Sequence, residues 1–303
     1  MIFSALLGCI VTSGAHALVV KTSRSVDLGA DDWRPILGDD PDFDPGAGVG
    51  DWRPNVGDNA ELENGSPIRV ACVGASITLG GIGTGEPYPS ILQKLLGDGY
   101  VVENLGVNSR TIGYSDLPYQ DSAQFTELAS SQWDIVVSLF GASDATDVGS
   151  GGKPHWRHAL CDSYTDPATC PFMAGYNEWI SFLQSTGIPD IFIVVPPPVT
   201  GPNYVGVNST VVNVVMHEMV PKIAVEKGIP PDHVIDMFSE LGGDSISNVP
   251  KGGCTANISQ AGVCRFLCDE NYCDNVHPVA AGKLQMAAVI ADAIRARKPL
   301  TKS

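Results

Sequence analysis

Ser76 stands at the end of the stretch IRVACVGASIT, residues 68–78, where an apolar, β-branched run (Ile68, Val70, Val73) stops at Gly74. That run fits a strand covered on both faces, as a parallel sheet requires. Gly74 and Ala75 are small enough to let the chain turn sharply, and open α/β sheets bind ligands outside the carboxyl ends of their strands. A serine presented there can act as a nucleophile. Near the far end of the chain, Asp274-Asn275-Val276-His277-Pro278 precedes a segment, residues 279–297, whose Ala280, Leu284, Ala287, Ala288, Ala291 and Ile294 recur at helical spacing. Asp and His three apart in a loop entering a helix let the carboxylate fold back onto the imidazole, fixing its tautomer and stabilising the imidazolium. A nucleophile, a base and the group that orients the base are thus all available. Each also has a plainer use: Ser76 in a structural turn, Asp274 as a helix cap, His277 as a surface histidine.

The elements that must bring these groups together read as alternating strands and helices. Proline suits the first turn of a helix, where its missing N–H has no intrahelical partner, so Pro89 opens a helix over 89–96. Strands are expected over 100–105, ending at Gly106, and over 133–140, 191–195 and 234–236, with helices over 173–184 and 211–226 between them. Such alternation predicts a parallel sheet with helices on both faces. The chain has 303 residues, 44% of them hydrophobic, enough for one substantial core.

Taken in order, Gly74-Ala75-Ser76-Ile77-Thr78, Asn104-Leu105-Gly106, Gly141-Ala142-Ser143-Asp144 and the run from Asp274 to His277 resemble the blocks of the SGNH (GDSL-type) hydrolase superfamily. The resemblance extends over residues 68–298. Within the superfamily the chain looks closest to secreted sialate and carbohydrate O-acetylesterases, through Tyr88-Pro89, Gly106-Val107, Arg110-Thr111, Leu117-Pro118-Tyr119, Lys153-Pro154 with Trp156, and Pro196-Pro197-Pro198. It implies an α/β fold, a flavodoxin-like three-layer α/β/α sandwich with a five-stranded parallel sheet in the order 2-1-3-4-5. It implies a serine esterase that removes short acyl groups, acetyl above all, from carbohydrate esters through an acyl-enzyme, without metal or other cofactor. Ser76, Asp274 and His277 would be catalytic, with the Ser76 and Gly106 N–H groups and Ser143 forming the oxyanion hole. Two positions depart from the pattern. Ala75 replaces the usual Asp, which is not a reacting group. Ser143 replaces the usual Asn, and losing one oxyanion donor costs about 10²–10³ in kcat, or about 2.7–4 kcal/mol. Either Ser143 approaches through a shifted loop, or Asn108 substitutes, or the enzyme is weak. Asn108, Lys153, His155 and Trp156 are candidates for lining the substrate mouth. Two alternatives follow: a lipase- or phospholipase-like esterase of the same fold, or a catalytically weakened glycan-binding protein.

A formal net charge of −16 argues against nucleic acid and anionic membranes as partners, and the resemblance implies an acylated small molecule or polysaccharide as substrate. Residues 1–17 read as a secretory signal, apolar over 2–11 and ending in Ala15-His16-Ala17. The absence of Lys or Arg before Lys21 leaves an uncleaved membrane anchor as the alternative. Residues 18–66 form an acidic, Gly/Pro-rich extension without a core of its own, in which Asp32-Trp33-Arg34-Pro35 recurs as Asp51-Trp52-Arg53-Pro54. Its tryptophans serve either as docking anchors or as pegs on the domain over 67–303. Of eight cysteines, Cys9 leaves with the signal and Cys72, inside the first strand, is expected as a free buried thiol. Cys161, Cys170, Cys254, Cys264, Cys268 and Cys273 read as three disulfides in a secreted chain, with Cys161–Cys170 the most local pairing. A zinc site from Cys264, Cys268, Cys273 and His277 is the alternative. Because Cys273 adjoins Asp274, its bridge would brace the catalytic loop. Asn64, Asn208 and Asn257 each begin an N-glycosylation acceptor pattern.

Overall fold

The computed structural model describes residues 66–113, 115–147, 154–162, 169–203, 205–256 and 262–297. The expected signal with Cys9, the extension with its repeated tetrapeptide, Asn64, Lys153 and Asn257 lie outside the described residues. Five strands, β1 Ile68–Gly74, β2 Tyr100–Gly106, β3 Ile135–Leu139, β4 Asp190–Val194 and β5 Val234–Ile235, pair in the order β2-β1-β3-β4-β5. Every pairing is parallel, so all carboxyl ends share one edge. This is the 2-1-3-4-5 order expected. β3 is shorter than the expected run at both ends, and Trp133, just before it, donates its indole N–H to Leu128 O at 3.2 Å.

The helices are α1 Ser76–Leu79, α2 Tyr88–Leu96, α3 Ala123–Ser130, α4 His158–Cys161, α5 Pro171–Ser185, α6 His217–Glu226, α7 Met237–Glu240, α8 Cys264–Leu267 and α9 Ala280–Ala296. Alternate strand residues feed two cores. Ala71, Val73 and Val136 pack with Leu128 of α3, Trp179 of α5 and Ile223 of α6, while Val70, Cys72 and Val137 pack with Leu92 of α2 and Ile290 of α9. The sheet is therefore buried on both sides, which explains why β1 reads as an unbroken apolar run. Helices on both faces complete the three-layer α/β/α sandwich.

Three local features differ from expectation. Helix α3 was not legible because Leu128 is its only buried residue; it is started instead by the Ser122 hydroxyl, which accepts from Phe125 N at 3.1 Å. The 211–226 segment begins as a π-helical turn, Val211–Met216, before α6; Pro221 has no N–H for the carbonyl four residues back. In α9 the expected Ala287, Ala291 and Ile294 are buried, but in the first turns Leu284 is 53% exposed and Lys283, 2% exposed, takes the inward place.

The disulfides are Cys161–Cys170, Cys254–Cys264 and Cys268–Cys273, and Cys72 is free and buried. The zinc alternative falls, since all three of its sulfurs are oxidised in bridges. Burial pushes the Cys72 thiol up to about 12, so it stays protonated and inert. Among the described residues no helix is long and apolar enough to cross a membrane.

Candidate active site

The nucleophile turn is built by close approach. A Cβ on Gly74 would lie 2.4 Å from Leu139 O and 2.2 Å from Thr78 Oγ1, so only glycine lets β1 end there against β3 and its own turn. Gly106 is level with Gly74 in the sheet register, and a Cβ on it would lie 2.2 Å from Leu79 N. That glycine allows α1 to press onto the end of β2. Its N–H donates to Asn104 Oδ1 at 3.0 Å, and Asn104 Nδ2 donates to Leu79 O at 3.3 Å. The N–H expected from sequence to serve as an oxyanion donor is thus engaged by Asn104 in this structure. Ser76 is the first residue of α1, whose earliest helical bond is Leu79 N to Ala75 O. Its own N–H has no acceptor within the turn and stays available.

The acid and base come from the loop before α9. Asp274 and His277 have side chains 0% and 3% exposed. Asp274 Oδ1 accepts from Val276 N at 2.9 Å and His277 N at 2.7 Å, and its Oδ2 accepts from His277 Nδ1 at 2.5 Å and Tyr272 Oη at 2.8 Å. Burial raises this carboxyl, but the hydrogen bonds from His277 and the backbone outweigh it and leave it at about 2. With Nδ1 donating to a carboxylate, Nε2 carries the lone pair, and it lies 2.8 Å from Ser76 Oγ. Asp274 therefore orients His277 and is not merely a helix cap. The loop closes this tightly because Asn275 sits in the left-handed region, at φ +66°. Asn275 Oδ1 is held by Thr200 Oγ1 at 2.6 Å and Cys254 N at 2.8 Å, and its carbonyl by Thr200 N at 2.9 Å. The Cys268–Cys273 bridge ends one residue before Asp274, and Cys254–Cys264 anchors the loop whose Cys254 N–H holds Asn275.

A cavity of about 320 Å³ opens over Ser76 and His277. Its walls include Asn108, Ser109, Ser143 and His155, with Ile82, Leu117, Val205, Val207 and Val276 supplying apolar surface. Asn108 and His155, two of the candidates from sequence, are therefore among the residues that line this cavity. Trp156 is not: it is 2% exposed, lies against Phe172 at 5.5 Å between ring centroids, and donates its indole N–H to Asp162 at 2.9 Å. Its size and apolarity draw it into the core. Ser143 does reach the cavity, and its carbonyl is fixed by the Thr146 hydroxyl at 3.0 Å and by His155 Nδ1 at 2.9 Å, while His155 Nε2 lies 2.9 Å from Asp116 Oδ1. Asp144, next to it, accepts from the N–H groups of Ile112 and Gly113 at 3.0 and 2.7 Å. Among the described residues its second oxygen and the Tyr176 hydroxyl are buried without hydrogen-bond partners, and burial, only partly offset by those N–H groups, pushes the carboxyl up to about 7. Sequence reasoning missed Tyr272, Asn275, Ser109, which lines the mouth at φ +60°, and Lys283. The Asn208 acceptor pattern is described, and its side chain is engaged: Oδ1 accepts from Val211 N at 3.2 Å and Nδ2 donates to Asp147 at 2.9 Å.

A parallel α/β sheet that presents serine, histidine and carboxylate in one hydrogen-bonded line defines the class of an activated serine nucleophile. No family model matches the chain. An acetylxylan esterase from Xylanibacter ruminicola is 28% identical over 236 residues, covering 75% of this chain and 43% of that protein, so the chain spans less than half the length of this relative. Among solved structures, a lipase/acylhydrolase from Enterococcus faecalis is 18% identical and covers 78% of this chain and all 100% of its own, at a TM-score of 0.49. A carbohydrate acetylesterase from Sinorhizobium meliloti is 19% identical, with 76% and 99% coverage and a TM-score of 0.49. A further crystal structure, 17% identical with 76% and 97% coverage, reaches a TM-score of 0.51, a likeness of fold.

Proposed function

We propose that the chain is a secreted serine ester hydrolase of the SGNH type that removes acetyl groups from carbohydrate esters. The observation that carries this reading is the unbroken line from Ser76 Oγ through His277 to a carboxylate that accepts four hydrogen bonds. His277 Nε2 takes the Ser76 proton as Oγ attacks the ester carbonyl, and it returns that proton to the departing alcohol. Water then attacks the acyl-enzyme with the same base and releases the acid. The Ser76 N–H and the Ser143 hydroxyl are the oxyanion donors; Gly106 N–H joins them only by leaving Asn104. Every step uses side chains already named. The acetyl group and the sugar are supported by the likeness to an acetylxylan esterase. Secretion is supported by residues 1–17 and by three disulfides, which persist in oxidising compartments. Residues 18–66 form the extension and 67–303 the catalytic domain.

The apolar cavity wall favours one second reading, an esterase for longer acyl chains. Both are tested with p-nitrophenyl esters from acetyl to octanoyl and with acetylated xylo-oligosaccharides. Wild type is expected to be fastest on acetyl, to release acetate from the sugar and to be labelled at Ser76 by a fluorophosphonate; Ser76→Ala should lose at least 10³-fold in rate with its fold intact. Rates rising with chain length would select the second reading, and an active Ser76→Ala would refute both.

A further inference from the structure

Lys283 is a buried cation that the reaction above does not use. It lies in the first turn of α9, six residues after His277, and is 2% exposed. Its Nζ donates to Gly80 O at 3.0 Å and Ile82 O at 2.9 Å, with Gly85 O at 3.5 Å. Among the described residues no carboxylate is paired with it, and burial pulls its ammonium below the usual lysine range. A buried charge without a counter-ion is costly, and a methionine would fill the same volume without that cost. What the ammonium adds is three protons aimed at three carbonyls of one loop.

That loop matters for position. Gly80 caps α1, which carries Ser76 at its other end, and Ile82 lines the cavity. The loop is tied a second time to the same part of the chain: Thr84 Oγ1 donates to Asp269 and accepts from Ala280 N at 3.1 Å. The segment bearing Asp274 and His277 thus grips the loop leaving the nucleophile. We propose that Lys283 is a positioning residue and a determinant of acyl size: its ammonium holds the 80–85 loop, and with it the Ile82 wall, against the segment that carries His277.

This proposal rests on the esterase reading, and the experiment separates the two. Wild type, Lys283→Met and Thr84→Val are compared for kcat and KM on p-nitrophenyl acetate and butyrate, with melting curves and fluorophosphonate labelling alongside. Lys283→Met is expected to fold and to be labelled, to lose about 10- to 100-fold in kcat on acetate with little change in KM, and to lose about tenfold in its preference for acetyl over butyryl. Thr84→Val should move the preference the same way by a smaller factor. If folded Lys283→Met keeps kcat and the acyl preference within twofold of wild type, the proposal is overturned. If Lys283→Met does not fold, Thr84→Val decides: a shifted preference supports the loop clamp and an unchanged one overturns it. A wild type that hydrolyses no ester and is not labelled ends both readings at once.

Discussion

Replacing Asp274 by Asn keeps the shape of the side chain and removes one acceptor. In wild type, Oδ1 faces two backbone N–H groups that cannot rotate, so the single oxygen of the amide must stay on that side. The NH₂ then occupies the Oδ2 position, where wild type accepts from His277 Nδ1 at 2.5 Å and Tyr272 Oη at 2.8 Å. A donor there forces the imidazole to present a lone pair at Nδ1 and a proton at Nε2. Nε2–H now points at Ser76 Oγ, 2.8 Å away, and can no longer take its proton. The expected loss is about 10⁴ in kcat, equivalent to about 5.4 kcal/mol. Tyr272→Phe is the control: it removes one hydroxyl donor and leaves the tautomer intact, so about a tenfold loss is expected. The assay is stopped-flow release of p-nitrophenol from the acetate ester, which resolves acylation from deacylation, with circular dichroism to verify folding. Asn at position 274 retaining more than a tenth of the wild-type acylation rate, or Phe at 272 proving equally damaging, would refute the reasoning.

Three further outcomes are expected. Ser143→Asn extends a donor into the cavity from a carbonyl-anchored turn and should raise kcat about tenfold; an unchanged rate would mean that the hole is already complete. Cys268→Ala/Cys273→Ala opens a short loop whose closure contributes about 2 kcal/mol, so the melting temperature should fall and acylation should slow, whereas full activity at unchanged stability would rule out bracing of Asp274. Asp144, raised from 3.8 to about 7 in the fold, binds its proton more tightly folded than unfolded. Stability from this group is therefore highest at low pH and is lost as pH rises from about 4 to about 7. Asp144→Asn should raise the melting temperature at pH 8 and leave it nearly unchanged at pH 4, while equal shifts at both would contradict the assignment.

The hydrogen-bonded trio was legible as candidates, since a strand end that exposes a serine and a carboxylate three residues from an imidazole are short-range features, and the resemblance of the four blocks singled them out from their plainer uses. That the sheet is parallel with helices on both faces was legible from apolar runs separated by helical segments, while its strand order came only with the resemblance to the SGNH hydrolases. What escaped were properties conferred by distant parts of the chain. The Gly106 N–H looks free until the Asn104 side chain is seen turning back onto it. Trp156 looks like a candidate for the substrate mouth until α5 brings Phe172 against it. In α9, Leu284 fits an apolar stripe better than Lys283 does, yet three carbonyls from the nucleophile loop draw the lysine inward and leave the leucine in solvent. Residue type predicts burial only where no polar partner is waiting inside.

The left-handed backbone at Asn275 carries a consequence for substitution at that position. Few side chains tolerate that conformation, and this one must also satisfy a threonine hydroxyl and a cysteine amide. Glycine meets the first demand and fails the second; valine or isoleucine fails both. In this chain the spacer between acid and base, which looks interchangeable in a motif written with an x, is therefore tied to the loops bearing Thr200 and Cys254, and a substitution there has to be matched by a change in those loops.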